Sequence, residues 1–249
     1  MRRRIVATLT LSKSLAVLDL LIEHGALGLE ELHLLSGLPK ATLKRILDSL
    51  TELQWLYRRL GDQRYVFIRQ TASRTEQAAI APDLLRLLGQ HLHALYQHTG
   101  LPSDIALACQ GQLTVVESSF SLCGYRRASG QLIGLRPHPY ISAIGRAYSA
   151  GQAPDDEAQR RHWRGLQREL ARGFFLRRRG PWEHRVVPPF RVMGMAIPLR
   201  LQGGNQTVGA INLYWDNERH RCSHMVARFL PMLCASRGQI ESSLPQGWR

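Results

Sequence analysis

No stretch of this 249-residue sequence supplies the ~20 consecutive apolar residues that a membrane-spanning helix needs. Met1 to Arg4 is basic, but the following "IVATLTLSKS" is too short and too polar for a secretory signal core. Cysteine is scarce. Cys109, Cys123, Cys222 and Cys234 show no CxxC spacing, which excludes a disulfide framework and fits a reducing compartment. No GxGxxG, P-loop, GxSxG or HExxH is present, so nucleotide, serine-hydrolase and zinc-hydrolase chemistry find no support. "HRCSH" puts His220 and His224 on one helical face, but no second pair of ligands stands out. His138 and Cys123 are lone residues. The expectation is a cytoplasmic protein with no membrane segment, no metal, no cofactor and no enzymatic activity.

Acids are also scarce, 19 against 33 basic residues, for a formal net charge of +14. Among the basic residues only Lys13, Lys40 and Lys44 are lysines, a bias that more often reflects GC-rich coding than mechanism. An excess of this size favours a polyanionic partner over a merely soluble basic surface. Hydrophobic residues make up 44% of the chain, enough for packed cores. The length suits two modest domains.

The chain opens with helical periodicity. Ser14 to His24 places Leu15, Leu18, Leu21 and Ile22 on one face, with Ser12 or Ser14 as cap and Gly25 as stop. Leu29 to Ser36 forms a second short helix carrying Leu32, Leu34 and Leu35. Pro39 to Leu53 forms a third, with Pro39 suited to a first turn. "WLYRRLGDQRYVFI" then alternates on both sides of Gly61-Asp62, a hairpin signal. Three helices and a hairpin, in that order, predict a winged helix-turn-helix.

Gly37 supplies the left-handed residue that the sharp turn between the second and third helices requires. Leu43, Ile46, Leu47 and Leu50 form the buried stripe of the third helix. The opposite face carries Lys40, Ala41, Lys44, Arg45 and Asp48, with Thr42 at its edge. Such a face fits the major groove of double-stranded DNA. Arg45 could fork onto a guanine edge, Lys44 and Thr42 could meet phosphate or base, and Ala41 a thymine methyl. Asp48 could accept from cytosine or pair with Lys44 four residues away. Arg58, Arg59 and Arg64 on the hairpin could track phosphates as a wing does. The plainer alternative is a helical hairpin with a solvated charged face.

The stretch "ELHLLSGLPKATLKRILDSL" resembles the helix-turn-helix of the IclR family of bacterial transcription regulators, through Ser36, Gly37, Leu38, Thr42, Arg45 and Leu47. "IGLRPHPYISAIGRAYSA" is similar to a family segment through Gly134, Arg136, Pro139 and Gly145-Arg146-Ala147. "RGFFLRRR" resembles the Arg-Gly-aromatic stretch, and "MGMAIPLRLQGGNQTVGAINLYW" the closing strand pair. "LPSDIAL" and "FLPMLCASRGQIE" resemble the subgroup that regulates aromatic-acid catabolism, such as that of hydroxyphenylpropionates. Three positions depart from the pattern. His33 stands where alanine is common, Gln54 where glycine precedes the wing, and Arg146 where lysine is usual.

This reading divides the chain into a DNA-binding domain over residues 1–70, a linker over 71–81 and a second domain over 82–249. In the last, a helix over Pro82 to Thr99 precedes strand-like stretches at Asp104 to Cys109, Leu113 to Ser118, Val192 to Leu199 and Val208 to Trp215. Helical ones fall at Tyr140 to Gly151, Asp155 to Arg172 and Cys222 to Ser243. That mixture predicts an α+β domain around an antiparallel sheet. The resemblance implies a GAF-like fold that holds a small carboxylate effector in a mostly apolar pocket. It implies Ala196 beside the pocket, Asn212 and Tyr214 on one strand face, and Trp182 and Glu183 in a covering loop. The amides from Ser142 to Gly145, or an Arg136 fork, could hold the carboxylate, although Arg136 could equally form a structural ion pair. Arg160 to Arg191 holds ten arginines and only Glu169 and Glu183 as acids. It reads as a solvated face or a second nucleic-acid surface.

The resemblance thus implies a transcription regulator on a double-stranded DNA operator, acting as a homodimer or homotetramer, with RNA polymerase as a further partner. The alternative from another class is an enzyme or small-molecule carrier on a GAF-like domain, its N-terminal module binding a protein.

Overall fold

The structure, a computed structural model, describes residues 9–53, 55–67, 80–109, 112–123, 132–154, 157–178, 191–202, 204 and 206–245. Gln54 and most of the predicted linker lie outside these residues. The chain divides into two compact units, one of residues 1–59 and 63–78, the other of 60–62 and 79–249.

In the first unit, α1 spans Leu9–His24, α2 Leu29–Ser36 and α3 Lys40–Glu52, and the strands β1 Leu56–Arg58 and β2 Tyr65–Phe67 pair antiparallel. Leu27 forms an isolated antiparallel bridge to Tyr65. The winged helix-turn-helix order is therefore observed. α1 differs from expectation at its start and on its face. It begins at Leu9, so Ser12 and Ser14 lie inside it, and the Ser14 hydroxyl donates back to the Thr10 carbonyl at 3.0 Å instead of capping. Val17, Leu18 and Leu21 are buried, whereas Leu15 and Ile22 are 49% and 57% exposed. At 3.6 residues per turn two apolar stripes overlap on this helix, and only packing against the other helices selects one.

α2 ends on Gly37, left-handed at φ 67°, whose N–H returns to the His33 carbonyl. Of the three leucines assigned to α2 only Leu32 is buried; Leu34 and Leu35 are exposed. His33, a departure from the family pattern, has a use in the turn. Its Nδ1 lies 2.7 Å from the Leu38 carbonyl. A carbonyl only accepts, so the ring must donate there, and it ties the start of α3 to α2. Leu43, Ile46, Leu47 and Leu50 form the buried face of α3, as predicted, and Leu38 packs partly against the same core.

The second unit is a five-stranded antiparallel sheet in the order β4-β3-β7-β6-β5, with β3 Asp104–Cys109, β4 Gln112–Ser118, β5 Phe175–Leu176, β6 Val192–Arg200 and β7 Thr207–Asp216. The helices are α4 Pro82–Thr99, α5 Ala143–Ser149, α6 Glu157–Leu170 and α7 Cys222–Ser243, with a 3₁₀ turn at Phe120–Cys123. The α+β expectation holds; β5 and the 3₁₀ turn are additional. Side chains alternate across the sheet. Ile105, Leu107, Met195, Ile197, Ile211, Leu213 and Trp215 meet α4 and α7 on one face. Ala106, Ala196 and Ala210 meet α5 on the other. These small residues let α5 lie close to the sheet, and that closeness positions the cavity described next. Among the described residues no helix is long and apolar enough to cross a membrane.

Candidate functional site

In the first unit the outward side of α3 exposes Lys40, Ala41, Lys44, Arg45 and Asp48, and half-exposes Thr42. Lys40 pairs with Glu30 at 2.6 Å, and Lys44 with Asp48 across one turn. Arg45 has no hydrogen bond or ion pair among the described residues. The three hairpin arginines differ from one another. Arg58 is exposed, donates through Nε to the Gln63 carbonyl at 3.3 Å and stacks over the Tyr65 ring. Arg59 is half-buried, and its backbone pairs with Arg64. Arg64 is anchored inward, donating to Glu31 at 2.6 Å and to the Ala26 carbonyl at 3.3 Å. The other Glu31 oxygen accepts the Gly28 N–H at 2.7 Å at the start of α2. Arg64 thus fastens the hairpin to α2.

In the second unit a cavity of about 60 Å³ opens between the α5 face of the sheet and the chain before α5. Its walls are Val115, Phe120, Leu132, Leu135, Pro137, Ile144 and Val192 among others, and its polar lining comes from Asp104, Ser142, Arg177, Asn212 and Tyr214. The antiparallel register that sets Ile105 opposite Ile211 places Asp104 beside Asn212 on the cavity side. There the Asn212 side-chain oxygen accepts the Asp104 N–H at 2.6 Å. The Asp104 carboxylate accepts from Ser118 at 2.6 Å, Asn212 Nδ2 at 3.3 Å and Tyr214 Oη at 3.4 Å. Tyr214 stacks on Phe120 with ring centroids 6.1 Å apart.

Burial dominates the electrostatics of this cluster. It pushes the Asp104 carboxyl up to about 6, against the opposing effect of its three hydrogen bonds. It raises the Tyr214 hydroxyl well above its ordinary value, helped by the neighbouring Asp104 charge. Burial also draws the Arg177 guanidinium down from its ordinary value.

The remaining predicted residues are distributed unevenly. Ser142 lines the cavity and caps α5: its hydroxyl oxygen accepts the Gly145 N–H at 3.0 Å while donating to the His138 carbonyl at 2.8 Å. The Gly145 amide is therefore already engaged. A side chain at Gly145 would come within 2.4 Å of the His138 carbonyl oxygen, so the tight turn before α5 requires glycine there. Ala196 lies on the cavity side of β6 but is not among the lining residues; it belongs to the same core cluster as Ala143 and Ala147. Arg136 is exposed and is not part of the cavity. Trp182 and Glu183 fall outside the described residues. The sequence reading missed Asp104 and Arg177. An acid opening the otherwise apolar strand "DIALAC" was a usable signal; the arginine run that starts at Arg177 gives no indication that Arg177 reaches a cavity.

Arg146, another departure from the family pattern, is 1% exposed and donates to Glu169 at 2.5 Å and to the Leu176 carbonyl. Arg178 meets the same Glu169 oxygen at 3.0 Å. Part of the arginine-rich stretch therefore fastens α5, α6 and β5 together, while Arg160, Arg161, Arg164 and Arg168 are exposed on α6. Among the described residues no group of His, Cys, Asp or Glu is arranged to hold a metal ion.

Residues 10–60 match the IclR helix-turn-helix domain, so the first unit carries a DNA-binding domain of that type. No curated protein matches the chain. Among solved structures the chain resembles a candidate transcriptional regulator from Rhodococcus sp. RHA1, at 19% identity and a TM-score of 0.51, over 98% of this chain and 100% of that one. An IclR transcriptional regulator from Alicyclobacillus acidocaldarius gives 17% identity and 0.48, over 96% and 98%. An IclR homologue from Microbacterium hydrocarbonoxydans, complexed with 4-hydroxybenzoate, gives 16% and 0.49, over 94% and 98%.

Proposed function

We propose that this chain, with its IclR-type helix-turn-helix, is a sequence-specific transcription regulator whose second unit binds a small carboxylate effector and has no enzymatic role. The observation that carries the reading is the outward face of α3. Behind a left-handed Gly37 and opposite a fully buried leucine-isoleucine stripe, it presents Arg45 with Lys40 and Lys44 beside it. The two lysines are held in exposed ion pairs, which contribute only ~0–1 kcal/mol, so exchanging a carboxylate for a DNA phosphate costs little. Arg58 and Arg59 would add backbone contacts from the hairpin. A homodimer or homotetramer on a near-palindromic operator would double these contacts and read two half-sites. RNA polymerase is the partner through which such binding would alter transcription.

The test is binding to the DNA upstream of the chain's own gene over a range of salt. Specific binding should weaken steeply with salt as phosphate contacts are lost, and Arg45→Ala should cost about 1–3 kcal/mol at the specific site. Equal operator binding by the wild type and an Arg45→Ala, Lys44→Ala double variant would refute the assignment. Salt-independent binding would favour the reading in which the N-terminal module binds a protein.

For the effector, the finer proposal is an aromatic acid. The apolar walls and the Phe120–Tyr214 ring pair support it, and Arg177 replaces Arg136 as the side-chain candidate for the carboxylate. The volume sets a condition. Benzene fills engineered cavities of ~150 Å³, so a ring requires more room than the 60 Å³ of this cavity, and an acid of two or three carbons requires less additional room. Calorimetry with aromatic acids, and with pyruvate and glyoxylate as aliphatic controls, decides between them. Unchanged affinity in Asn212→Ala would place the pocket elsewhere.

A further inference from the structure

Asn212 and Tyr214, the strand pair that the family resemblance assigns to the effector, are turned toward Asp104. Both side chains donate to the Asp104 carboxylate, and the Asn212 oxygen is occupied by the Asp104 amide. Asp104 itself lines the cavity and is only 8% exposed. An ionised carboxylate has about four acceptor sites. Among the described residues Oδ1 takes Ser118 and Tyr214, while Oδ2 takes Asn212 alone. Acceptor capacity therefore remains on Oδ2, and the Asn212 bond to Oδ2 at 3.3 Å and the Tyr214 bond to Oδ1 at 3.4 Å are long enough for a better-placed donor to compete.

We infer that Asp104 is a specificity determinant of this cavity: its carboxylate accepts a hydrogen bond from a hydroxyl of the effector, and so selects hydroxy acids over acids lacking a donor at that end. The inference rests on the reading of the cavity as a small-carboxylate site. With its carboxyl near 6, Asp104 is mainly ionised at neutral pH and can then only accept. An anion so placed also repels a second carboxylate. The effector's acid group is directed away from Asp104, toward Arg177 on the same lining, and dicarboxylates are rejected. Such a site discriminates strongly because a ligand without the donor leaves a buried acceptor desolvated and unpaired.

Calorimetry on the full chain with matched pairs tests this: L-lactate against pyruvate, 4-hydroxybenzoate against 4-methoxybenzoate, with terephthalate as a dicarboxylate. In the wild type whichever hydroxy acid binds should do so on the order of 10–100-fold more tightly than its donor-less partner. In the near-isosteric Asp104→Asn the difference should shrink to about threefold or less, because a neutral amide oxygen is the weaker acceptor. Equal binding within every pair in the wild type overturns the inference while leaving the carboxylate reading intact, and it needs no variant that folds. Discrimination that persists in Asp104→Asn also overturns it. If no acid binds, the carboxylate reading fails, and phenol against anisole becomes the deciding pair: tighter phenol binding keeps Asp104 as the acceptor, and equal or absent binding removes it.

Discussion

Two ion pairs, one in each unit, mark how differently the units use charge. Lys44–Asp48 on α3 has side chains 49% and 56% exposed. Arg146–Glu169, between α5 and α6, has side chains 1% and 20% exposed. The first is screened by water and salt, so the groups can part and rejoin at little cost. The second has given up most of its hydration. Removing Glu169 would strand the buried Arg146 charge, and burial already pulls the Arg146 guanidinium down from its ordinary value against the support of Glu169. A surface meant to exchange partners needs the first kind of pair; a scaffold that must keep a cavity in shape needs the second.

The largest effect should come from breaking the buried pair. Glu169→Ala leaves Arg146 with the Leu176 carbonyl alone and should destabilise the second unit by about 3–5 kcal/mol in chemical denaturation. A loss under ~1 kcal/mol would mean that water reaches Arg146 and that the contrast between the units is overstated. Next comes Asp104, a buried acid with no cationic partner among the described residues. The folded state holds the Asp104 proton near 6 against 3.8 in the unfolded chain, so the native state binds more protons between those values. Stability should therefore fall as pH rises through the window from about 4 to 6, by ~3 kcal/mol at most. Asp104→Asn should flatten that part of the profile. The smallest effect belongs to the exposed pair. Asp48→Ala should change stability by less than ~0.5 kcal/mol. It should nevertheless tighten DNA binding by about threefold, since Lys44 is freed and an anion is removed beside the phosphates. Unchanged DNA affinity would show that α3 does not approach the duplex through this face.

The two units also differed in how far the sequence could be read. In the first, the apolar period of α3 and the glycine at the turn were enough to place the helices, because a short three-helix core is specified by local pattern. The exception was α1, where overlapping stripes made Leu15 and Ile22 look buried. In the second, the strands and long helices were legible from alternation and periodicity, and β5 was missed because two residues are too few to show a period. The cavity was partly legible. Alternation put Asn212 and Tyr214 on one face of β7, but what they bond to depends on β3, more than a hundred residues earlier in the chain. Arg136 lies in the family-like segment, whereas the arginine among the cavity-lining residues is Arg177.

The sequence by itself determined the order of elements, the buried face of α3 and the shared face of Asn212 and Tyr214, since these follow from the repeat of a helix or a strand and from where glycine and proline interrupt it. Only the tertiary structure decided which polar groups meet. Asp104 against Asn212 and Tyr214, Arg64 against Glu31 and Arg146 against Glu169 are contacts between distant segments. The first is fixed by strand register, the second by how the hairpin meets α2 and the third by how closely α5 lies on a sheet of small side chains, and no local period encodes any of them.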